Sequence, residues 1–159
     1  MSQAEYTGVQ GVSGIGGWLI LPTLGLVLTP FLGLTTIMQS LPVLQGLGQL
    51  PVAQGTFIVF ELVINVLFQA VAPVFLLIQL FQKRSTFPKF YQIFLALNLG
   101  FIVLDLCLAY ALFKDVFDSG AAQMWDRDTM RAVAQGVIGC AIWIPYMSRS
   151  VRVRNTFTQ

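Results

Sequence analysis

Long apolar stretches with few charges alternate with short polar links along the whole chain. The apolar stretches cover residues 17–38, 57–81, 90–113 and 130–147. A helix that crosses a bilayer needs about 20 predominantly apolar residues, and it satisfies its own backbone hydrogen bonds there. The pattern therefore predicts one all-α domain over residues 1–159, an integral membrane four-helix bundle. Pro22 and Pro30 interrupt the first stretch, so we expect that helix to be bent.

The distribution of lysine and arginine predicts the orientation of the bundle. Positive residues accumulate in the cytoplasmic links of membrane proteins. The link after the second helix and the tail 148–159 are both basic and contain no acid. Their positive residues are Lys83, Arg84, Lys89, Arg149, Arg152 and Arg154. We expect both termini to be cytoplasmic, and the tail arginines either contact anionic headgroups or act only as topology determinants.

The first outer link, residues 39–56, contains no charge and repeats leucines between prolines and glycines. This composition suits a segment that lies on or dips into the outer leaflet. An exposed apolar loop is the alternative. The helix before this link carries Gly17, Gly25 and Gly33, each eight residues from the next. Small residues on one face permit close packing inside the bundle, or between two copies of the chain as the alternative.

Composition narrows the possible functions. The chain is 56% hydrophobic and 10% charged, whereas soluble domains carry about 25% charged residues, so the lipid bilayer is its expected partner. A net charge of +2 is too small for a nucleic-acid footprint. The chain has no histidine, and Cys107 and Cys140 are isolated; we expect no metal, no cofactor and no disulfide. No catalytic residue is expected, with a carboxylate-based membrane enzyme as the remaining exception.

Four segments of the chain carry a resemblance to a known family. They are GIGGWLILPTLGL, FELVINVLF, FPKFYQIFLALNLGFIVLD and IWIPYMSRSVRVRNTF. With these segments the chain resembles, over nearly its whole length, the bacterial inner-membrane family catalogued as domain of unknown function 2569. The resemblance implies a small four-helix protein of the bacterial inner membrane whose activity is not established.

Polar side chains inside the second helix form a candidate site. Glu61, Asn65 and Gln69 recur every four residues, so they share one face of the helix. An ionisable residue within the bilayer costs about 2.5 to 3.5 kcal/mol on insertion scales and usually faces protein or water. We therefore expect this polar face to point into the bundle.

The third and fourth helices carry polar groups that can meet this face. Asn98 and Asp105 are seven residues apart on the third helix, and Arg131 and Gln135 are four apart at the start of the fourth. At about 1.5 Å per residue, Asp105 lies at the depth of the polar face on the second helix. We predict that the two polar faces meet in the outer half of the bundle, with Arg131 above them and closest to Asp105.

The polar cluster has two functional interpretations. Its groups can hold the bundle together, because interhelical hydrogen bonds help membrane helices to associate; the chain is then an accessory or scaffold protein that binds another membrane protein or itself. Alternatively, they line a cavity for a proton, a cation or a small cationic solute in a transporter or channel component. Secondary transporters commonly contain internal repeats. The two halves of this chain show none, which favours the accessory role.

Overall fold

The structure, a computed structural model, describes residues 13–120 and 122–158. A 3₁₀ turn over Gly17–Leu19 leads into the first helix. The helices are α1 (Ile20–Gln45), α2 (Val52–Val66), α3 (Ala72–Phe81), α4 (Phe87–Asp118), α5 (Arg127–Arg149) and α6 (Val151–Thr156). No strand occurs in the two described ranges. The all-α membrane bundle predicted from the sequence is confirmed.

Three helical segments are long and apolar enough to cross a membrane: Gly17–Gln45, Val52–Phe81 and Phe87–Asp118, with 29, 30 and 32 residues. At about 1.5 Å per residue, each exceeds a hydrocarbon core of roughly 30 Å, so the spans tilt or extend past it. The helices are longer than the sequence predicted. Much of segment 39–56, expected as a loop, belongs to α1 and α2, which are joined by a 3₁₀ turn over Leu47–Gln49.

Helix α5 completes the bundle by packing along α4. It is not among the three candidate spans, and charged residues occupy its first turns. Gly136 allows close approach to α4, because a Cβ atom there would lie 3.1 Å from the side chain of Leu99. The helix begins at Asp126, whose carboxylate accepts a hydrogen bond from the backbone N–H of Thr129 at 2.7 Å. A fourth membrane crossing by α5 stays a prediction.

A π-helical turn over Leu67–Val71 joins α2 to α3. It ends just before Pro73, whose ring lacks an N–H and would crowd the carbonyl of Gln69 in a regular α-helix. The wider turn relieves this conflict without breaking the span. Gly33 of α1 packs against the same turn, since a Cβ atom there would lie only 2.8 Å from Cβ of Gln69. A larger residue than glycine does not fit at this crossing.

Most of the buried hydrophobic residues form one cluster where α1 begins, α3 meets α4 and α5 ends; we call this the tail end of the bundle. Phe87 is at its centre, fully buried, with its ring centroid 4.7 Å from that of Phe157. Helix α6 folds back onto the cluster and buries Val153. The hydroxyl of Thr156 accepts a hydrogen bond from the backbone N–H of Gly14 at 2.9 Å. Val153, Thr156 and Phe157 of the basic tail are thus buried against the bundle.

Candidate functional site

The opposite half of the bundle, where α1 ends and α5 begins, is the loop-end half. A cavity of about 450 Å³ extends from the middle of the bundle into this half, among α1, the α2–α3 span, α4 and α5. We call it the polar cavity, because half of its lining is polar. The polar residues of the lining are Thr29, Glu61, Asn65, Gln69, Asn98, Asp105, Thr129 and Gln135.

Helical periodicity explains how the two central helices present these groups together. Glu61 and Asn65 are one turn apart on α2, and Gln69 follows in the π turn. Asn98 and Asp105 are two turns apart on α4 and face the same cavity. The polar faces of α2 and α4 therefore line one cavity.

A chain of side-chain hydrogen bonds crosses from α1 to α2 beside the cavity. The hydroxyl of Thr36 donates to Oε1 of Gln69 at 3.3 Å, and Nε2 of Gln69 donates to Oδ1 of Asn65 at 3.0 Å. Gly33 and the π turn hold Gln69 in position for both bonds. The amide oxygen of Asn65 accepts the second bond, so the group that Asn65 can still offer to Glu61 is its NH₂ donor.

The two carboxylates of the cavity differ from the amides in their bonding. Oδ1 of Asp105 is buried and has no hydrogen-bond partner among the described residues. Glu61 lines the same cavity and carries the same charge when ionised. A buried carboxylate oxygen without a partner is costly, so it is usually paired, protonated or bound to a cation. Proton or cation binding is therefore the chemistry that the arrangement can perform.

A second cavity of about 210 Å³ lies between α1 and α2, and its polar lining is Thr36, Ser40, Glu61 and Asn65. Glu61 and Asn65 line both cavities. The polar face of α2 therefore separates two pockets.

Arg131 is exposed and does not line the polar cavity. The cavity face of α5 instead includes Thr129, Ala132 and Gly136, which recur at helical spacing. At about 100° per residue, Arg131 is rotated by about 100° from Ala132 and by about 140° from Gly136, so it lies past the edge of this face. Gln135, the other predicted residue on α5, lines the cavity. The structure thus brings six of the seven predicted polar residues together and leaves Arg131 outside.

Sequence reasoning missed Thr29 and Thr129, and it missed the aromatic part of the lining. Phe68 and Phe101 both face the cavity, with ring centroids 6.0 Å apart. Thr29 donates its hydroxyl to the carbonyl of Gly25 at 2.7 Å, as threonine commonly does in helices. Phenylalanine and threonine are ordinary in membrane helices, so no local pattern distinguished these residues.

The sequence profile of a family described as protein of unknown function, DUF2569, matches residues 12–158. The chain belongs to this family. No curated protein and no solved structure matches it. For this DUF2569 protein, the cavity is therefore the principal guide to function.

Six of the nine lysine and arginine residues of this DUF2569 protein lie at the tail end, away from the polar cavity. Lys83, Arg84 and Lys89 are exposed at the turn from α3 to α4. Arg149 and Arg154 are also exposed at this end of the bundle. The guanidinium of Arg152 is half-buried and lies across the backbone at Gly16 and Gly17.

The described residues contain no group of three or more cysteine, aspartate or glutamate side chains that could hold a metal ion. Cys107 and Cys140 are free thiols. Cys140 donates its S–H to the carbonyl of Leu95 at 3.4 Å, across the α4–α5 contact. This thiol is therefore part of the packing between the two helices.

Proposed function

We propose that this protein binds a proton or a small cationic solute in the polar cavity and acts as a component of a membrane transporter or channel. The supporting observation is the buried, unpartnered Oδ1 of Asp105 in a cavity that Glu61 also lines. Neither carboxylate acts as a catalyst in this proposal.

The electrostatics of the cavity support a cation as the ligand. Ionisable residues inside membrane spans are expensive and commonly mark proton or ion pathways. No lysine or arginine is among the described residues that line the cavity, so the protein itself supplies no positive charge there. A bound cation or proton offsets the like charges of Glu61 and Asp105 and satisfies the free oxygen.

The test is cation binding by the full chain in nanodiscs, measured as the rise in melting temperature with sodium, potassium or methylammonium chloride and with decreasing pH. We expect at least one of these conditions to stabilise the wild type. Asp105→Asn and Glu61→Gln should remove that response, because each deletes a cavity carboxylate. Asp118→Asn, at the exposed end of α4, is the matched control and should retain it. A wild type indifferent to every cation and to pH overturns the proposal.

An accessory role is the second candidate, and a feature of the loop-end half favours it. A shallow apolar depression lies at the junction of α1 and α2, lined in part by Leu47, Leu50, Val52 and Phe60. Val52 is 86% exposed. An exposed apolar depression at the end of a membrane span is a surface that another protein can cover. Crosslinking in native membranes should capture the same partner with the wild type and the Asp105→Asn variant, and should lose it with Val52→Asp.

We further propose four membrane crossings in a bacterial inner membrane, with both termini in the cytoplasm. The position of six of the nine lysine and arginine residues at the tail end supports this orientation, since the other three lie among aspartates at the loop end. The test is labelling of Ser85→Cys and Ser119→Cys in a background without Cys107 and Cys140. An impermeant maleimide added outside should label position 119 and spare position 85. The reverse pattern excludes the orientation, and equal labelling at both positions excludes a crossing by α4, which lies between them. Labelling of Thr158→Cys from outside, at an exposed position beyond α5, would exclude the fourth crossing.

A further inference from the structure

The polar cavity has an opening on the side of the bundle. Helix α1 packs along α2 and α3, and α5 packs along α4, but α1 and α5 make no extensive contact with each other in the described structure. Both nevertheless contribute to the cavity, through Leu32 of α1 and Ala132 of α5 among others. Leu32 is 63% exposed, and Ala132 is exposed as well. These two residues therefore border a gap between α1 and α5.

The depth of this gap determines what it faces. Leu32 lies near the middle of the span Gly17–Gln45, so it is far from both ends of a helix that crosses the bilayer. Ala132 follows the first turn of α5, nearer the loop end. The gap thus runs from mid-span toward the loop end, and it faces the lipid phase.

The cavity behind the gap suits a ligand with a cationic group and an apolar part. Glu61 and Asp105 supply negative charge, while Phe68 and Phe101 supply apolar surface and aromatic faces that attract cations. A bare metal ion prefers several oxygen ligands. Because half of this lining is apolar, a bare metal ion fits the cavity less well than a ligand with an apolar part. A phosphate-bearing lipid is disfavoured, since no lysine or arginine is among the described lining residues.

We propose that a cationic amphiphile, a protonated amine carrying a hydrocarbon chain, enters this cavity from the lipid phase through the gap between α1 and α5. Its amine binds at Asp105 and Glu61, and its chain passes between Leu32 and Ala132 into the bilayer. This inference rests on the proposed cation site, and it adds the class of ligand and the route of entry.

The test is equilibrium binding of radiolabelled decylamine to the full chain in nanodiscs of zwitterionic lipid, with empty nanodiscs subtracted. Unlabelled decylamine should displace the label, whereas decanol should not, because it has the chain without the charge. Methylammonium, the charge without the chain, should compete only at much higher concentration. Asp105→Asn should weaken decylamine binding by roughly tenfold or more, since charge-assisted contacts are the strong ones.

A pair of alanine variants tests the route. Ala132→Phe narrows the gap, while Ala134→Phe makes the same change two residues away, at an exposed position that does not line the cavity. We expect Ala132→Phe to weaken decylamine binding severalfold and to leave the methylammonium response intact. Ala134→Phe should change neither.

The outcomes separate this inference from the proposed function. If Asp105→Asn removes the methylammonium response but Ala132→Phe leaves decylamine binding unchanged, the cation site stands and the lateral route is wrong. If decylamine does not bind and light scattering shows a dimer that Ala132→Phe dissociates, a second copy of the chain fills the gap and the inference is overturned. If Asp105→Asn alters no response at all, both proposals are overturned.

Discussion

The tail end and the loop-end half of this bundle are built on different principles. At the tail end, Leu19, Phe87 and Val153 are almost fully buried and belong to one apolar cluster. Among the described residues, Phe57 is the buried hydrophobic side chain that lies outside that cluster. The loop-end half instead contains the polar cavity and the unpartnered oxygen of Asp105. One end is packed for stability, while the other retains space and unsatisfied charge.

The difference indicates that the tail end holds the helices together and that the loop-end half is available for binding. Packing contacts hold membrane helices together, because lipid removes the hydrophobic drive that operates in water. A cluster concentrated at the tail end can anchor all four long helical segments, which leaves their other halves free to diverge around a cavity. Binding regions are commonly drawn from the less stable parts of a protein.

The largest loss in the free energy of unfolding is expected from Phe87→Ala at the tail end. Its ring is fully buried and packs on Tyr91 and Phe157, and a truncation of this kind costs about 3 to 5 kcal/mol in packed cores. The measurement is the free energy of unfolding in a mild detergent. Phe31→Ala, at a side chain that is 64% exposed on α1, is the matched control with little expected effect. Equal losses in both variants would remove the distinction between packed and lipid-facing positions.

A smaller loss is expected from Gly33→Ala, which acts at the border between the two halves. The added Cβ would lie 2.8 Å from Cβ of Gln69 and 3.3 Å from its backbone oxygen, so α1 must move away from the π turn. Overpacking of this kind costs about 1 to 3 kcal/mol. Gly25→Ala has no atom within 4 Å of its new methyl group and should not destabilise the protein. Thermal melts of the two variants in the same nanodiscs make the comparison.

The sequence predicted the features that depend on local periodicity, and it missed those that depend on how helices rotate and pack. The stripe Glu61, Asn65 and Gln69 follows from the helical repeat alone. Whether α5 turns Arg131 or Thr129 toward that stripe depends on its packing against α4, which no local pattern specifies. Conversely, the four-residue spacing of Val153 and Phe157 is a signal of a packed face, but the surrounding arginines favoured an interpretation of the segment as a tail that contacts lipid headgroups or only determines topology.

A loss of about 1 kcal/mol is expected from Thr156→Val, which deletes a hydrogen bond between distant parts of the chain at the tail end, together with a local one inside α6. The hydroxyl of Thr156 accepts from the backbone N–H of Gly14 and donates to the carbonyl of Arg152 at 2.7 Å. Valine keeps the shape but leaves the N–H of Gly14 without its partner. Thr158→Val is the control, since Thr158 is exposed. If both variants melt together with the wild type, the tail contributes packing alone and this hydrogen bond adds nothing to it.

The smallest change in stability is expected from Asp126→Asn at the loop end, where Asp126 caps α5. Hydrogen bonds from the backbone and side chain of Thr129 lower the pKa of Asp126 below its ordinary value of 3.8. A lowered pKa in the folded state means that the cap stabilises fully above that ordinary value and that the contribution is lost as the pH falls through the lowered value. Asp126→Asn retains a good cap that does not titrate. The melting temperature of the wild type should therefore fall relative to Asp126→Asn on acidification below about pH 4. A constant difference between the two across this range would show that the charge of Asp126 contributes nothing to the start of α5.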